Sequence, residues 1–145
     1  MSILVLVEHN QGTFRKKSFE AVQYAAHIAQ NMGGTVTAVA MGTIADAELA
    51  GLGNYGAQKV VHITDVRLDN FSSRAYAKVM IAAAKNENAK VIITLHDTTG
   101  KAVAPRVAAN LMAGMVAGAI SYPDLTKGFV VKRNVFSGKA FAPRR

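Results

Sequence analysis

The 145-residue sequence contains no cysteine. This absence excludes disulfide bonds, zinc sites built on thiolates and a cysteine nucleophile. No apolar run reaches the roughly 18 residues that span a bilayer. The first ten residues, MSILVLVEHN, enter a strand pattern with no basic segment before it, so we expect no signal peptide. We therefore expect a cytoplasmic protein.

Acidic residues are missing from the last 21 positions of the chain. All 9 Asp and Glu lie in residues 1–124 together with 11 of the 17 Lys and Arg, whereas residues 125–145 hold the other six basic residues. The body of the protein is therefore nearly neutral despite the net charge of +8. The terminal aromatic residues, Phe129, Phe136 and Phe141, have strand-like spacing rather than the pattern of an exposed stacking platform. This distribution argues against nucleic-acid binding.

Hydrophobic residues make up 50% of the chain and charged residues 18%, which predicts one globular domain over residues 1–145. Short aliphatic runs alternate with helical patterns. The predicted strands are 3–7, Thr35–Met41, Lys59–Ile63 and 91–95, with further strands near 115–120, 129–135 and 139–141. This alternation predicts an α/β fold with a doubly wound, mostly parallel sheet, helices on both faces and a C-terminal β hairpin.

Four helices are predicted between these strands. The first covers residues 16–32 and the second covers 44–52. The third is capped by Asn70 or Ser72, and an apolar face is predicted from Phe71, Ala75, Val79 and Ala82. Pro105 fits the first turn of the fourth helix.

Residues 95–101, LHDTTGK, connect the fourth strand to the fourth helix. The backbone N–H groups of Thr98, Thr99 and Gly100 could bind an anion there, assisted by the helix dipole and the Lys101 ammonium group. However, the segment has one glycine where a P-loop has GxxxxGK followed by Ser or Thr, and the chain has no GxGxxG. The alternative is an ordinary strand-to-helix turn capped by a threonine. Both interpretations stay open at this point.

Polar residues follow the first and fourth strands, which would be neighbours in a doubly wound sheet. Glu8, His9, His96 and Asp97 could therefore converge on a divalent cation. Their spacing matches no motif such as HExxH, and adjacent residues on a strand point to opposite faces. Hydrogen bonding within the loops explains them equally well. We expect no metal site and no catalytic set, since the serines also lack a GxSxG context.

Several segments occur in an order that is characteristic of one family. They are ILVLVEHNQG, KKSFEAVQYA, TVTAVAMG, LGNYGAQKVVHITD, GKAVAPRVAANLMAGM and the closing VVKRNVFSGKAFA. Together they resemble the N-terminal domain of the electron-transfer flavoprotein alpha subunit. The chain departs from the family pattern at Ala102-Val103, where an acidic residue is common, and at Ala117-Gly118, where Ser-Asp is common.

The resemblance implies a fold like that of the adenine nucleotide alpha hydrolases and a role as a scaffold rather than an enzyme. It implies a heterodimer with a beta subunit that passes electrons from flavin dehydrogenases to a quinone oxidoreductase. FAD would bind to a separate C-terminal domain outside this chain, and AMP would bind to the beta subunit. No cofactor is expected on residues 1–145. If a nucleotide did bind, the expected site would be the loop of Thr98, Thr99, Gly100 and Lys101, which we call the fallback loop. The location would be the bacterial cytoplasm or the mitochondrial matrix.

A stand-alone adenine-nucleotide-binding module, similar to universal stress proteins, is the alternative. The second glycine cluster and the Gly-Ser or Gly-Thr pair of those proteins are missing after Gly100. This absence favours the scaffold hypothesis.

Overall fold

The computed structural model describes residues 2–95, 97–111 and 114–117. The strands are β1 (Ser2–Leu6), β2 (His9–Asn10), β3 (Thr13–Phe14), β4 (Thr35–Met41), β5 (Lys59–Ile63), β6 (Ala89–Thr94) and β7 (Gly114–Ala117). The helices are α1 (Lys16–Met32), α2 (Asp46–Gly51), α3 (Ser73–Asn86) and α4 (Thr98–Leu111), with short 3₁₀ turns at Leu52–Tyr55 and Val66–Asp69. None of the described helices is both long enough and apolar enough to cross a membrane.

Five parallel strands form the main sheet in the order β5-β4-β1-β6-β7, while β2 and β3 form a small antiparallel hairpin. The chain builds one half of the sheet outward from β1 through β4 to β5. It then crosses back and builds the other half through β6 and β7. Strand order therefore reverses between β1 and β6. Ligands in such sheets bind at the carboxyl ends of the strands beside this point, a place that we call the crevice. The predicted doubly wound sheet and the predicted pairing of its first and fourth strands are confirmed.

The side chains of β1 alternate between two cores, as the two-residue repeat of a strand requires. Ile3 and Val5 face the core that α1 covers, whereas Leu4 and Leu6 face the core that α3 and α4 cover. All four are fully buried. Burial on both faces explains why β1 is an unbroken aliphatic run.

Most element boundaries agree with the sequence predictions. The bounds of α1, β4 and β5 are the predicted ones, while β1 and β6 begin one and two residues earlier. The predicted helix 44–52 is a shorter α2 followed by a 3₁₀ turn. Ser72 caps α3 by accepting a hydrogen bond from the Ala75 N–H at 3.3 Å. The predicted C-terminal hairpin and the strands near 129–135 and 139–141 lie outside the described residues.

The predicted apolar face of α3 is correct for Ala75 and Val79, which are partly buried and pack against the core. It is wrong for Ala82, which is exposed, and for Phe71, which is 45% exposed. The buried residues of the helix are Ala77, Met80, Ala83 and Ala84. Phe71 lies outside the helix because it precedes the Ser72 cap. Its ring instead contacts the ring of Tyr76 edge-on, with centroids 5.0 Å apart.

Candidate functional site

The crevice between β1 and β6 contains two acidic side chains and one arginine. Arg15 Nη1 lies 3.3 Å from Glu8 Oε1 and 2.9 Å from Asp97 Oδ2, so one nitrogen serves both carboxyl groups. The Glu8 and Asp97 side chains are only 10% and 19% exposed, while Arg15 is 44% exposed. The topology thus brings Glu8 and Asp97 together as predicted, and His96 lies outside the described residues.

The backbone of Glu8 is held by the start of α1. The Ser18 hydroxyl accepts a hydrogen bond from the Glu8 N–H at 2.8 Å and donates one to the Glu8 carbonyl oxygen at 2.9 Å. The Arg15 N–H donates to the same carbonyl oxygen at 3.0 Å. Because Ser18 is fully buried, these bonds are shielded from water and fix the end of β1 against α1.

The contact between the two carboxyl groups shifts their pKa values in opposite directions. Burial, followed by the contact with Asp97, raises the pKa of Glu8 to about 8. Burial also acts to raise the pKa of Asp97, but hydrogen bonds from Glu8 and the Gly100 N–H, together with Arg15, outweigh it and lower that pKa. Glu8 Oε2 is buried and has no hydrogen-bond donor among the described residues. These opposite shifts favour a proton on Glu8, which can donate it to Asp97.

Asp97 is the N-cap of α4. Its Oδ1 accepts a hydrogen bond from the Gly100 N–H at 2.8 Å, and its backbone carbonyl accepts one from the Lys101 N–H at 2.9 Å. The cap is therefore Asp97 and not a threonine, which corrects the sequence expectation. The fallback residues Thr98, Thr99, Gly100 and Lys101 form the first turn of α4 rather than a separate loop.

Pro105 is the eighth residue of α4 and lies well inside the helix, so its predicted place in the first turn is wrong. The helix begins earlier than expected because Asp97 supplies a cap at its start. Gly100 is required at that start by close packing. A Cβ atom at this position would collide with the Leu95 carbonyl oxygen at the end of β6.

His9 does not join the acidic pair through its ring nitrogens. Its Nδ1 accepts a hydrogen bond from the Gly12 N–H at 2.9 Å, so Nε2 carries the hydrogen and donates to the Met41 carbonyl oxygen at 2.8 Å. Both nitrogens thus hold the β2–β3 hairpin in place. Within the described ranges, no group of three or more His, Cys, Asp or Glu side chains could hold a metal ion.

A second set of hydrogen bonds lies at the carboxyl end of β4. Thr43 donates its N–H and its hydroxyl to Asp69, at 2.6 and 2.9 Å. These bonds lower the pKa of the Asp69 carboxyl. His62 Nε2 lies 2.7 Å from the Gly42 carbonyl oxygen, where Gly42 has a left-handed φ of 97°. The polar groups of these four residues are thus paired within the domain.

Sequence reasoning missed Arg15 and Ser18. Ser18 had a detectable signal, because it lies on the same face of α1 as Val22, Ala25 and Ala29, and a polar residue on a buried face is unusual. Arg15 had none. It is one basic residue among three consecutive ones, and only the hairpin before it brings its side chain to the crevice.

The fold resembles that of universal stress proteins. A universal stress protein from Archaeoglobus fulgidus aligns with a TM-score of 0.53 at 15% identity, covering 81% of this chain and 92% of that one. A structure of the universal stress protein from the same organism in complex with dAMP aligns with a TM-score of 0.54, covering 81% and 96%. The chain therefore has the adenine nucleotide alpha hydrolase-like fold.

Sequence comparison defines the family within that fold. The electron transfer flavoprotein domain matches residues 3–144, and the chain belongs to this family. The electron transfer flavoprotein subunit alpha of Bacillus subtilis is 32% identical over 139 residues, covering 96% of this chain and 42% of that protein. The alpha subunit of Megasphaera elsdenii is 30% identical, covering 97% and 42%. The chain thus spans less than half the length of these relatives, and its likeness to the alpha-subunit N-terminal domain is confirmed.

Proposed function

We propose that this chain is the N-terminal scaffold domain of an electron-transfer flavoprotein alpha subunit. It packs against a beta subunit and supports the domain that holds FAD. The assembled complex accepts electrons from flavin dehydrogenases and delivers them to a quinone oxidoreductase, with AMP on the beta subunit. The domain has no catalytic set of its own. The family match over residues 3–144 supports the electron-transfer role.

One observation supports a scaffold role over nucleotide binding. The crevice at the strand-order reversal, where ligands bind in such sheets, contains the domain's own carboxyl groups. Asp97 accepts the Gly100 N–H and contacts Arg15, which are the two groups best suited to hold a phosphate. A phosphate placed there would have to displace Asp97 and lie beside its carboxylate. Repulsion between these two anions opposes nucleotide binding.

Two measurements on the 145-residue chain test the scaffold role. We expect no flavin absorbance on the purified chain after FAD is added and removed by gel filtration. We also expect a complex with a beta subunit of the same family in analytical ultracentrifugation. Tight stoichiometric FAD binding, or no association with any beta subunit tested, counts against the proposal.

The second candidate is an adenine-nucleotide-binding module. The fold it shares with the universal stress protein that was solved with dAMP favours this alternative. Calorimetry with AMP and ATP separates the two, because micromolar affinity supports the module and no measurable heat supports the scaffold. Lys101→Ala is the companion variant. Its exposed side chain belongs to the fallback loop, so true binding there weakens in the variant.

A further inference from the structure

The acidic pair links the two halves of the doubly wound sheet. Glu8 follows β1, in the half that continues through α1 and β4. Asp97 follows β6, in the half that continues through α4 and β7. Arg15 Nη1 contacts both carboxyl groups, and Asp97 in turn accepts the Gly100 N–H. Contacts through Asp97, Arg15 and Glu8 therefore connect the first turn of α4 to the end of β1.

We propose that one proton, held between the Glu8 and Asp97 carboxyl groups, fastens the β1–α1 connection to the first turn of α4, and that its release opens the helix cap. The contact between the two carboxyl groups favours a hydrogen between them, because one carboxyl group must donate to the other. Both are largely buried, both contact the same guanidinium nitrogen, and Glu8 Oε2 has no other donor among the described residues. This device belongs to the domain alone and does not depend on its role in electron transfer.

Loss of the proton changes the charge balance of the crevice. With the proton present, one guanidinium faces one carboxylate. Without it, two adjacent carboxylates compete for the same nitrogen and repel each other. Asp97 is the more exposed of the two, so it turns toward water and releases the Gly100 N–H. The proton itself passes to solvent.

The described surroundings of Glu8 contain few other charged groups. Arg15 faces it from the start of α1 and Asp97 from the start of α4. Tyr76 on α3 is a further titratable neighbour, and burial, followed by the charges of Glu8 and Asp69, raises its pKa. Its hydroxyl donates to the Leu68 carbonyl oxygen at 2.8 Å, so it is engaged elsewhere. His9 follows Glu8 in the chain, but both of its ring nitrogens are bonded within the hairpin region. The carboxyl pair is therefore the titrating unit.

Amide hydrogen exchange of the 145-residue chain tests the proposal directly. The Gly100 amide reports the cap of α4, and the Ala75 amide reports the cap of α3, where the acceptor is the non-titrating Ser72 hydroxyl. Between about pH 7 and about pH 9, we expect the protection factor of Gly100 to fall about tenfold and that of Ala75 to stay within about twofold. Equal behaviour of the two amides overturns the proposal.

Two variants test whether the shared proton causes the fall in the protection factor of Gly100. Glu8→Gln keeps a donor beside Asp97 at every pH, so Gly100 protection becomes independent of pH. Asp97→Asn keeps a helix cap but removes the second charge, so the Glu8 carboxyl, followed by its 13C resonance, titrates at lower pH than in the parent chain. An unchanged Glu8 midpoint in Asp97→Asn shows that burial alone sets it and overturns the proposal.

A further variant controls for the imidazole next to Asp97 in the sequence. His96→Gln removes this imidazole and keeps a neutral polar side chain. If the protection factor of Gly100 still falls between about pH 7 and about pH 9 in this variant, the carboxyl pair is supported as the cause. If the fall disappears, the histidine causes it and the proposal is overturned.

Discussion

Ser18 and Glu8 exchange two hydrogen bonds: the Ser18 hydroxyl accepts from the Glu8 N–H at 2.8 Å and donates to the Glu8 carbonyl at 2.9 Å. Ser18→Ala removes both and leaves the Glu8 N–H without its partner. We expect the free energy of unfolding to fall by about 1–3 kcal/mol, the cost of an unpaired buried polar group. Urea unfolding followed by far-UV circular dichroism measures the change.

A matched serine gives the control for that change. Ser73 lies at the first position of α3 and is only partly buried. Ser73→Ala should alter the free energy of unfolding by less than about 0.5 kcal/mol, as surface substitutions usually do. Equal losses in the two variants contradict a special role for Ser18.

The raised pKa of Glu8 makes stability depend on pH. The folded chain holds the Glu8 proton more tightly than the unfolded chain, because the folded pKa is about 8 and the ordinary value is 4.5. The associated stabilisation is complete below pH 4.5 and is lost as pH rises through about 8. The total loss is on the order of a few kcal/mol.

Glu8→Gln removes this dependence because glutamine cannot ionise. We therefore expect the variant to gain stability relative to the parent chain as pH rises from about 5 to about 9, with the difference levelling above that. Thermal unfolding of both proteins at several pH values measures it. Parallel curves over the whole range are the contradicting result.

Gly100 is constrained by packing, not by a ligand. A Cβ atom there would collide with the Leu95 carbonyl oxygen, which cannot move without disturbing β6. Gly100→Val should therefore lower the free energy of unfolding by several kcal/mol, on the order of 3 or more, or prevent folding. Unchanged stability together with loss of AMP binding is the outcome that contradicts this.

Gly51 is the matched glycine for this test. It lies in α2 with φ of −59°, and a Cβ atom there would meet nothing within 4 Å. Gly51→Ala should stabilise the chain by about 0.5–1 kcal/mol, since alanine loses less backbone entropy in a helix. The opposite signs of the two glycine substitutions separate packing from intrinsic helix propensity.

The sheet was predictable because its inner strands are buried on both faces and are therefore rich in aliphatic residues. The buried strand β4 has the predicted bounds, and so has the partly buried edge strand β5. The meeting of Glu8 and Asp97 was also predictable, because adjacent parallel strands end at the same edge. Pattern and topology together therefore placed both acidic residues of the site.

The remaining features depend on side-chain bonds that periodicity does not encode. His9 follows Glu8 directly, yet the β2–β3 hairpin directs its imidazole to the Met41 carbonyl. Arg15 reaches the crevice only because this hairpin returns the chain beside Glu8. Phe71 was predicted on the apolar face of α3, but it precedes the Ser72 cap and lies outside the helix. Contacts across a loop, rather than patterns along the chain, decide these positions.

Pro105 lies inside α4, where proline has no N–H to donate to the preceding turn. Its side chain is exposed, so alanine can replace it without leaving a cavity. Pro105→Ala restores the missing donor and should raise the free energy of unfolding by about 1–3 kcal/mol, less a small gain of entropy in the unfolded chain. Urea unfolding measures this change, with Arg106→Ala, at the next exposed position, as the control. A destabilised Pro105→Ala chain contradicts the argument and indicates that the proline sets the direction of α4.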